Sequence, residues 1–304
     1  MLALFDPPAR LTDIAELVRL PAVLTVPGDT LLGAAVSGGL GGARRTAGLA
    51  AASSFLYLAG MALNDYADRD VDAVERPHRP IPSGRVSPEL ALRLAQGLTA
   101  AGLASATWGG GAAGVTFAAP LAAAVWGYDT ILKGSPAGPV AMATCRTLDV
   151  LLGAHPGRIR AAIGPAAVVG AHTLNVTMVS RNEVSGGSRR LAFCSLAGTA
   201  AVTGLAALAA RTARRRAGCS AGALRAGATA TLLSGFALNL ARTEMAAYED
   251  PTPARLQKVV GEGVLGLLPL QAGMLASAGP SWAVSSVTVL WPLAKRLSRR
   301  RAVT

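Results

Sequence analysis

A succession of apolar segments, each close to the length that crosses a lipid bilayer, constrains this chain more than any other feature. A transmembrane helix needs about 20 apolar residues. Nine such segments fall at about 20–38, 46–63, 90–108, 112–132, 137–153, 159–179, 191–210, 221–241 and 259–278, and a shorter one at 281–294. Gly, Pro and Ser, which are typical of turns, separate several of them. We predict an all-α integral membrane bundle of about nine transmembrane helices, a single domain over residues 1–304.

Charge and cysteine content exclude several classes of protein. Only 15% of the residues are charged, whereas a soluble domain carries about 25%. In so apolar a chain the net charge of +12 indicates loops that face anionic lipid headgroups and anionic substrates, not nucleic acid. The three cysteines are far apart, so neither a zinc site nor a disulfide framework is predicted. The charged residues before the first apolar segment are unlike a cleavable signal peptide.

A polar stretch that contains four aspartates follows the second apolar segment. It reads Asn64-Asp65-Tyr66-Ala67-Asp68-Arg69-Asp70-Val71-Asp72. At about 100° per residue, its amide and three of its acids share one helix face, and Asp70 lies on the other. Such a row of oxygen ligands suits Mg²⁺, which takes one or two carboxylates and completes its shell with water and phosphate. The alternative is a solvated acidic turn that caps a helix.

The next loop is stiff and cationic. It runs from Glu75 to Ser87 and contains three prolines, a glycine, and the arginines Arg76, Arg79 and Arg85. Arginine presents a fork of donors that matches phosphate oxygens. Metal-binding carboxylates followed by arginines form the two halves of a diphosphate clamp, although a cationic loop at a membrane surface would also explain the charge.

These two elements resemble a known family signature. Asn64-Asp65-x-x-Asp68-x-x-x-Asp72, followed by Arg79-Pro80-Ile81-Pro82-Ser83-Gly84-Arg85-Val86-Ser87, is similar to the first motif of the UbiA superfamily of intramembrane prenyltransferases. The resemblance implies a bundle whose central cavity opens sideways to lipid, with active-site loops on the cytoplasmic side. It implies that Mg²⁺ holds an isoprenoid diphosphate, which ionises and is attacked by an acceptor.

Two further elements bear on the site. Tyr128 and Lys133 resemble the family's Tyr-x-x-x-(x)-Lys element, whose lysine helps neutralise diphosphate; Lys133 also suits a helix C-terminus, with Asp129 one turn away as a salt-bridge partner. Arg146 and Asp149 lie three residues apart inside the fifth apolar segment, where charges pair with each other or face a cavity. We leave both readings of this pair open.

The second acidic cluster of the family is only partly present. Asn175, Asn182 and Glu183 share a helix face, with Arg181 on the opposite side, and of the three only Glu183 is charged. This variant resembles the EboC-like bacterial homologues. One metal is then sufficient, or the amides serve as weaker ligands, or the substrate is recognised differently.

The resemblance gives the residues explicit roles. We expect catalytic roles for Asp65, Asp68 and Lys133; Mg²⁺ ligands at Asn64, Asp65, Asp68, Asp72 and Glu183; and diphosphate contacts from Asn64, Arg79, Arg85, Lys133, Tyr128, Asn175 and Arg146. With only 4% aromatic residues, a polar small acceptor such as a polyol or sugar, with or without a phosphate, is favoured over a quinone-type ring.

Other functions and the membrane orientation stay open at this point. A transporter of a lipid or polyol would use the acids for cation coupling, but transporters tend to show inverted repeats. A CDP-alcohol phosphotransferase needs a glycine after its acids, which this chain lacks. We expect a multi-pass protein of a bacterial plasma membrane. With nine spans, Lys and Arg residues are equally numerous on the two sides of the membrane. A tenth span at 281–294 would move the C-terminal cations to the side of the acidic stretch, which would then be cytoplasmic.

Overall fold

The computed structural model describes residues 10–217 and 222–298, and within those ranges every regular element is a helix. The helices are α1 (Leu11–Leu17), α2 (Leu20–Val23), α3 (Pro27–Val36), α4 (Ala43–Ala67), α5 (Arg69–Glu75), α6 (Pro88–Gly127), α7 (Gly138–Gly153), α8 (Ile159–Ser180), α9 (Arg189–Ala217), α10 (Gly222–Glu249), α11 (Pro253–Ala278) and α12 (Ser281–Ser298). A π-helical turn, Tyr128–Leu132, continues α6, and a short 3₁₀ turn, Pro156–Arg158, precedes α8. The predicted all-α class is confirmed.

Several helices have the length and composition of membrane spans. By these criteria five helical segments within residues 10–217 and 222–298 are long and apolar enough to cross a bilayer: Ala43–Ala67, Pro88–Leu132, Pro156–Ser180, Arg189–Arg216 and Pro253–Ala278. Several such helices in one chain are the architecture of a multi-pass membrane protein. The count of nine spans stays a prediction.

Three predicted spans have a different form in the structure. The first, 20–38, is divided into α2 and α3 by a turn at residues 24–26. The third and fourth are one continuous helix by hydrogen bonding, but its backbone breaks at Gly111, where φ is 59° and ψ is −147°. This combination of positive φ and extended ψ is open essentially to glycine alone, because a side chain would clash with the backbone. The break therefore supplies the division that the sequence predicted at Gly109-Gly110-Gly111.

The tenth apolar segment, 281–294, lies in α12, which packs on α11. Three of the C-terminal arginines, at positions 299–301, lie outside the described residues. The side of the membrane that each loop faces therefore stays a prediction.

Close backbone contact and aliphatic packing hold the bundle together. Gly48 of α4 lies directly against Gly109 of α6, and a methyl group added at either would meet the other backbone. Small residues permit such approach between membrane helices. Among the candidate spans, α11 is the most enclosed. Leu268, Leu270 and Leu275 are fully buried on different sides of it, and it packs against α3, α8, α9, α10 and α12.

A cavity of about 750 Å³ lies inside the bundle. Its walls come from the end of α4, from α5 and the loop after it, from the π turn, and from α7, α8 and α11. The segments that the sequence singled out for their charge therefore converge on one space.

Candidate active site

The acidic stretch passes from α4 into α5 through Asp68. Asp68 ends α4 and precedes α5, yet its φ of −88° and ψ of −1° stay close to helical values. The backbone bonds Asp68 N to Asn64 O (3.0 Å) and Asp72 N to Asp68 O (2.8 Å) keep the helical register. As a result Asn64, Asp68 and Asp72 line the cavity, and Asp70 points away with its side chain 84% exposed.

Arg79 folds back from the loop onto the acidic stretch. Its Nη1 lies 2.6 Å from Asp72 Oδ2 and 3.4 Å from Asp65 Oδ1. Arg79 and Asp72 line the cavity, whereas Asp65 is buried behind them and is not part of the lining. Asp65 therefore holds the arginine in place rather than reaching into the space itself.

Arg19 is a second cation on Asp65, and the sequence did not single it out. Its Nη2 lies 3.2 Å from Asp65 Oδ1, and its side chain also lines the cavity. The backbone of Arg19 is left-handed, with φ 47° and ψ 51°, a conformation that costs a non-glycine residue about 1–3 kcal/mol. This strain between α1 and α2 turns an arginine of the N-terminal segment toward the site. No local pattern in the sequence signals it.

The π turn orients three polar groups. The bond from Lys133 N to Tyr128 O (2.8 Å) spans five residues, and π turns of this kind are frequent at functional sites. Tyr128, Asp129 and Lys133 all line the cavity. Lys133 forms its ion pair with Asp68, while Asp129 accepts a 2.9 Å hydrogen bond from Asn64 Nδ2. The prediction that Lys133 pairs with Asp129 is therefore wrong, because the extra residue in the π turn places Asp129 beside Asn64.

Arg146 lies in a separate polar network on the cavity wall. Its Nη1 is 3.1 Å from Asp29 Oδ2 and 4.0 Å from Asp149 Oδ2. Its Nη2 donates to Thr25 Oγ1 (3.2 Å) and to the Thr25 carbonyl (3.3 Å). Arg146 is thus paired with two buried carboxylates and lines the cavity, so both sequence readings of this residue describe part of what it does.

The far wall carries the remainder of the second motif. Arg76 Nη2 lies 2.9 Å from Glu183 Oε1. Arg181, placed on the opposite helix side by periodicity, lines the same cavity as Glu183. That expectation is wrong because α8 ends at Ser180, and Arg181 donates to the Ser135 carbonyl at 2.6 Å.

Two residues expected at the site lie elsewhere. Arg85 pairs with Asp13 (2.9 Å) and Glu16 (2.8 Å) of α1, and its hydrogen bond holds the pKa of Asp13 below the usual value. The same acids raise the pKa of the Arg85 guanidinium. Asn175 faces α9, where its Nδ2 donates to the Ser195 carbonyl at 3.0 Å. Neither residue lines the cavity.

The donor set suits one Mg²⁺ that shares its shell with a phosphate. Among the described residues no three His, Cys, Asp or Glu side chains are grouped closely enough to hold a metal by themselves. Asp68 and Asp72 do face one space with the Asn64 amide. Two carboxylates plus substrate phosphate and water is the usual protein environment of Mg²⁺. The residues therefore fit a metal that binds together with an anionic ligand.

The family is established by comparison over most of the chain. Residues 29–302 match the model of the UbiA prenyltransferase family. The chain therefore belongs to this family, as the motif at Asn64–Asp72 predicted.

Curated relatives match over a shorter region. The chain is 43% identical over 83 residues to the digeranylgeranylglyceryl phosphate synthase of Natronomonas pharaonis, which is 27% of this chain and 30% of that protein. It is 47% identical over 79 residues to the enzyme of the same name from Methanopyrus kandleri, which is 25% of this chain and 29% of that protein. The chain thus spans under a third of the length of these relatives.

Solved structures share the fold over nearly their whole length. The apo structure of a UbiA homologue from Aeropyrum pernix covers 84% of this chain and 96% of its own, with a TM-score of 0.63 and 18% identity. A UbiA homologue from Archaeoglobus fulgidus, bound to GPP and Mg²⁺, covers 86% of this chain and 99% of its own, with a TM-score of 0.55 and 13% identity. The predicted UbiA-like fold is confirmed.

Proposed function

We propose that this protein is a membrane prenyltransferase that moves an isoprenyl group from an isoprenoid diphosphate to a small polar acceptor. One observation carries the proposal: a single cavity joins a cluster of cations and carboxylates to apolar walls. Its polar part includes Asp68, Asp72, Arg79 and Lys133. Its apolar walls suit an isoprenoid tail and consist of Met61, Met142, Val176, Val260, Val264 and Leu267.

The charged residues have different roles in binding the diphosphate. Lys133 and Arg79 supply positive charge beside the acids and offset the charge that develops as the diphosphate leaves. Asp65, behind Arg79, acts as a positioning residue. Asn64, Asp68 and Asp72 would hold Mg²⁺, which when bound adds Lewis-acid stabilisation of the leaving group.

The reaction exchanges one carbon–oxygen bond for another. The allylic carbon separates from the diphosphate oxygen, which keeps the electron pair. An oxygen of the acceptor then bonds to that carbon and loses its proton.

The acceptor is an alcohol that bears a phosphate. The low aromatic content favours a polar acceptor, and the names of the relatives from Natronomonas pharaonis and Methanopyrus kandleri designate enzymes of a glyceryl phosphate. The family resemblance supports a cytoplasmic position for the charged part of the cavity, where such a water-soluble phosphate would enter.

A direct assay tests the function. The purified protein in lipid nanodiscs would be incubated with isoprenoid diphosphates of several chain lengths and with glycerol phosphates, with Mg²⁺ or with EDTA. We expect diphosphate release and a prenylated product, both identified by mass spectrometry, in the Mg²⁺ samples alone. Binding of the ligand with no product from any acceptor, together with its movement across vesicles, would favour the transporter instead.

A further inference from the structure

The part of the cavity wall around Glu183 holds an arginine where the family's second acidic cluster is expected. Arg76, at the end of α5, and Glu183, after α8, are 107 residues apart in sequence and form an ion pair at 2.9 Å. Both line the cavity. Glu183 is 8% exposed, and its second oxygen, Oε2, is buried without a hydrogen-bond partner. Oε1 of Glu183 therefore binds the arginine, and Oε2 is buried away from water.

The residues of this wall do not fit a second divalent ion. Glu183 is the only carboxylate in the stretch 172–187. Asn175 is turned toward α9, and Asn182, in the turn after α8, is half-buried and donates to the Met178 carbonyl. A divalent ion on Glu183 would have neither amide as a second ligand, so this one carboxylate would be its only acidic protein ligand there, against the two carboxylates that line the cavity at Asp68 and Asp72.

Arg76 has the exposure that a ligand-binding cation needs. Its side chain is 24% exposed, against 8% for Arg79, whose donors are directed at Asp65 and Asp72. A guanidinium stays charged at any physiological pH and matches phosphate oxygens through paired N–H donors. Arg181 adds a second cation to the same side of the cavity.

We propose that this protein binds its isoprenoid diphosphate with a single divalent ion, and that Arg76, positioned by Glu183, supplies the positive charge where a second ion would otherwise be needed. The inference rests on the proposed function and deepens it. The ion lies on the side of Asn64, Asp68 and Asp72, and the guanidinium of Arg76 contacts the diphosphate from the side of α8. Glu183 is a positioning residue, not a metal ligand.

Counting the bound ions tests this arrangement without turnover. Mn²⁺ would replace Mg²⁺, and a geranyl thiolodiphosphate that resists ionisation would be the ligand, with the full chain in nanodiscs. Electron paramagnetic resonance of free Mn²⁺ gives the number bound, and calorimetry gives the affinity of the analogue. We expect one Mn²⁺ per chain in the unmodified protein and in Glu183→Gln.

The arginine is tested by its own variants. Arg76→Gln should lower the binding affinity for the analogue by roughly 10- to 100-fold, the usual effect of losing hydrogen bonds to a charged group. One Mn²⁺ should still bind at saturation. Arg76→Lys should recover part of the affinity, since it restores charge without the fork. Arg69→Gln is the matched control, because Arg69 pairs with the exposed Asp70 and lies outside the cavity lining. Size-exclusion profiles of all variants establish that they fold.

The outcomes separate this inference from the proposed function. Two Mn²⁺ per chain, with one lost in Glu183→Gln, would overturn the single-ion arrangement and leave the prenyltransferase proposal intact. Unchanged affinity in Arg76→Gln would also overturn it. Failure of the analogue to bind the unmodified protein at all would overturn both.

Discussion

Arg79 and Asp72 form a buried ion pair in which the arginine Nη1 lies 2.6 Å from the carboxylate Oδ2. The pair closes the loop after α5 back onto the helix it follows, and Asp65 joins it from behind at 3.4 Å. One arginine thus compensates two buried carboxylates of the acidic stretch.

The first prediction concerns the stability that this pair provides. Arg79→Gln should lower the free energy of unfolding by about 3–5 kcal/mol, because it leaves the buried Asp72 carboxylate without its partner and removes one of the two arginines on Asp65. Denaturant titration in detergent micelles measures the change. Arg85→Gln is the control: its side chain is 35% exposed, so a much smaller loss is expected. Equal losses in the two variants would show that burial does not govern the effect.

The second prediction separates two aspartates of the same stretch. Asp68→Asn should reduce Mg²⁺-dependent transfer by roughly 100- to 1000-fold, the range for loss of a preorganised electrostatic group. Asp70→Asn should leave the rate unchanged, because Asp70 faces away from the cavity. Initial rates at saturating diphosphate measure both. A comparable loss of transfer rate in the two variants would contradict the proposed Mg²⁺ site at Asn64, Asp68 and Asp72.

The third prediction concerns Lys133 and the charge on the leaving group. Lys133→Met should lower kcat far more than it raises KM, because the lysine stabilises charge that grows as the diphosphate departs. Single-turnover measurements distinguish this from slow product release. Lys258→Met removes an exposed lysine of α11 and serves as the control. An increase in KM with kcat unchanged would mean that Lys133 only binds the substrate.

Helical periodicity predicted one side of the site well. Because the backbone bonds continue through Asp68, the angles assigned to Asn64, Asp68 and Asp72 hold although α4 formally ends at Ala67. Asp70 is on the opposite face for the same reason. The apolar segments likewise determined the all-α class, since a bilayer leaves the backbone few alternatives to a helix.

The sequence could not predict the partners supplied by distant helices. Arg85 belongs to a stiff cationic loop, but acids of α1 bind it outside the cavity. Asn175 has the right helix angle, yet α9 offers it a carbonyl. Arg19 reaches the site through a strained backbone. Each of these results from tertiary contacts between segments far apart in sequence.

The last prediction concerns acid pH and the contact between α1 and the loop after α5. Asp13 Oδ1 accepts a 2.9 Å hydrogen bond from Arg85 Nη1, and its Oδ2 accepts one from Arg10 N at 3.1 Å. These bonds place the pKa of folded Asp13 below 3.8, the value of an unperturbed aspartate. The ionised form therefore stabilises the folded protein.

The sign of the pH dependence follows from this shift. Because the folded pKa lies below the unfolded one, the contribution of Asp13 is fully present at pH values above 3.8 and disappears as the pH falls through the folded value. Unmodified protein and Asp13→Asn should differ in unfolding free energy at pH 7 and converge in acid. Glu16, which also pairs with Arg85, is common to both proteins, so its own titration largely cancels in the comparison. Denaturant titrations at several pH values provide the measurement, and a difference that persists unchanged in acid would exclude ionised Asp13 as its source.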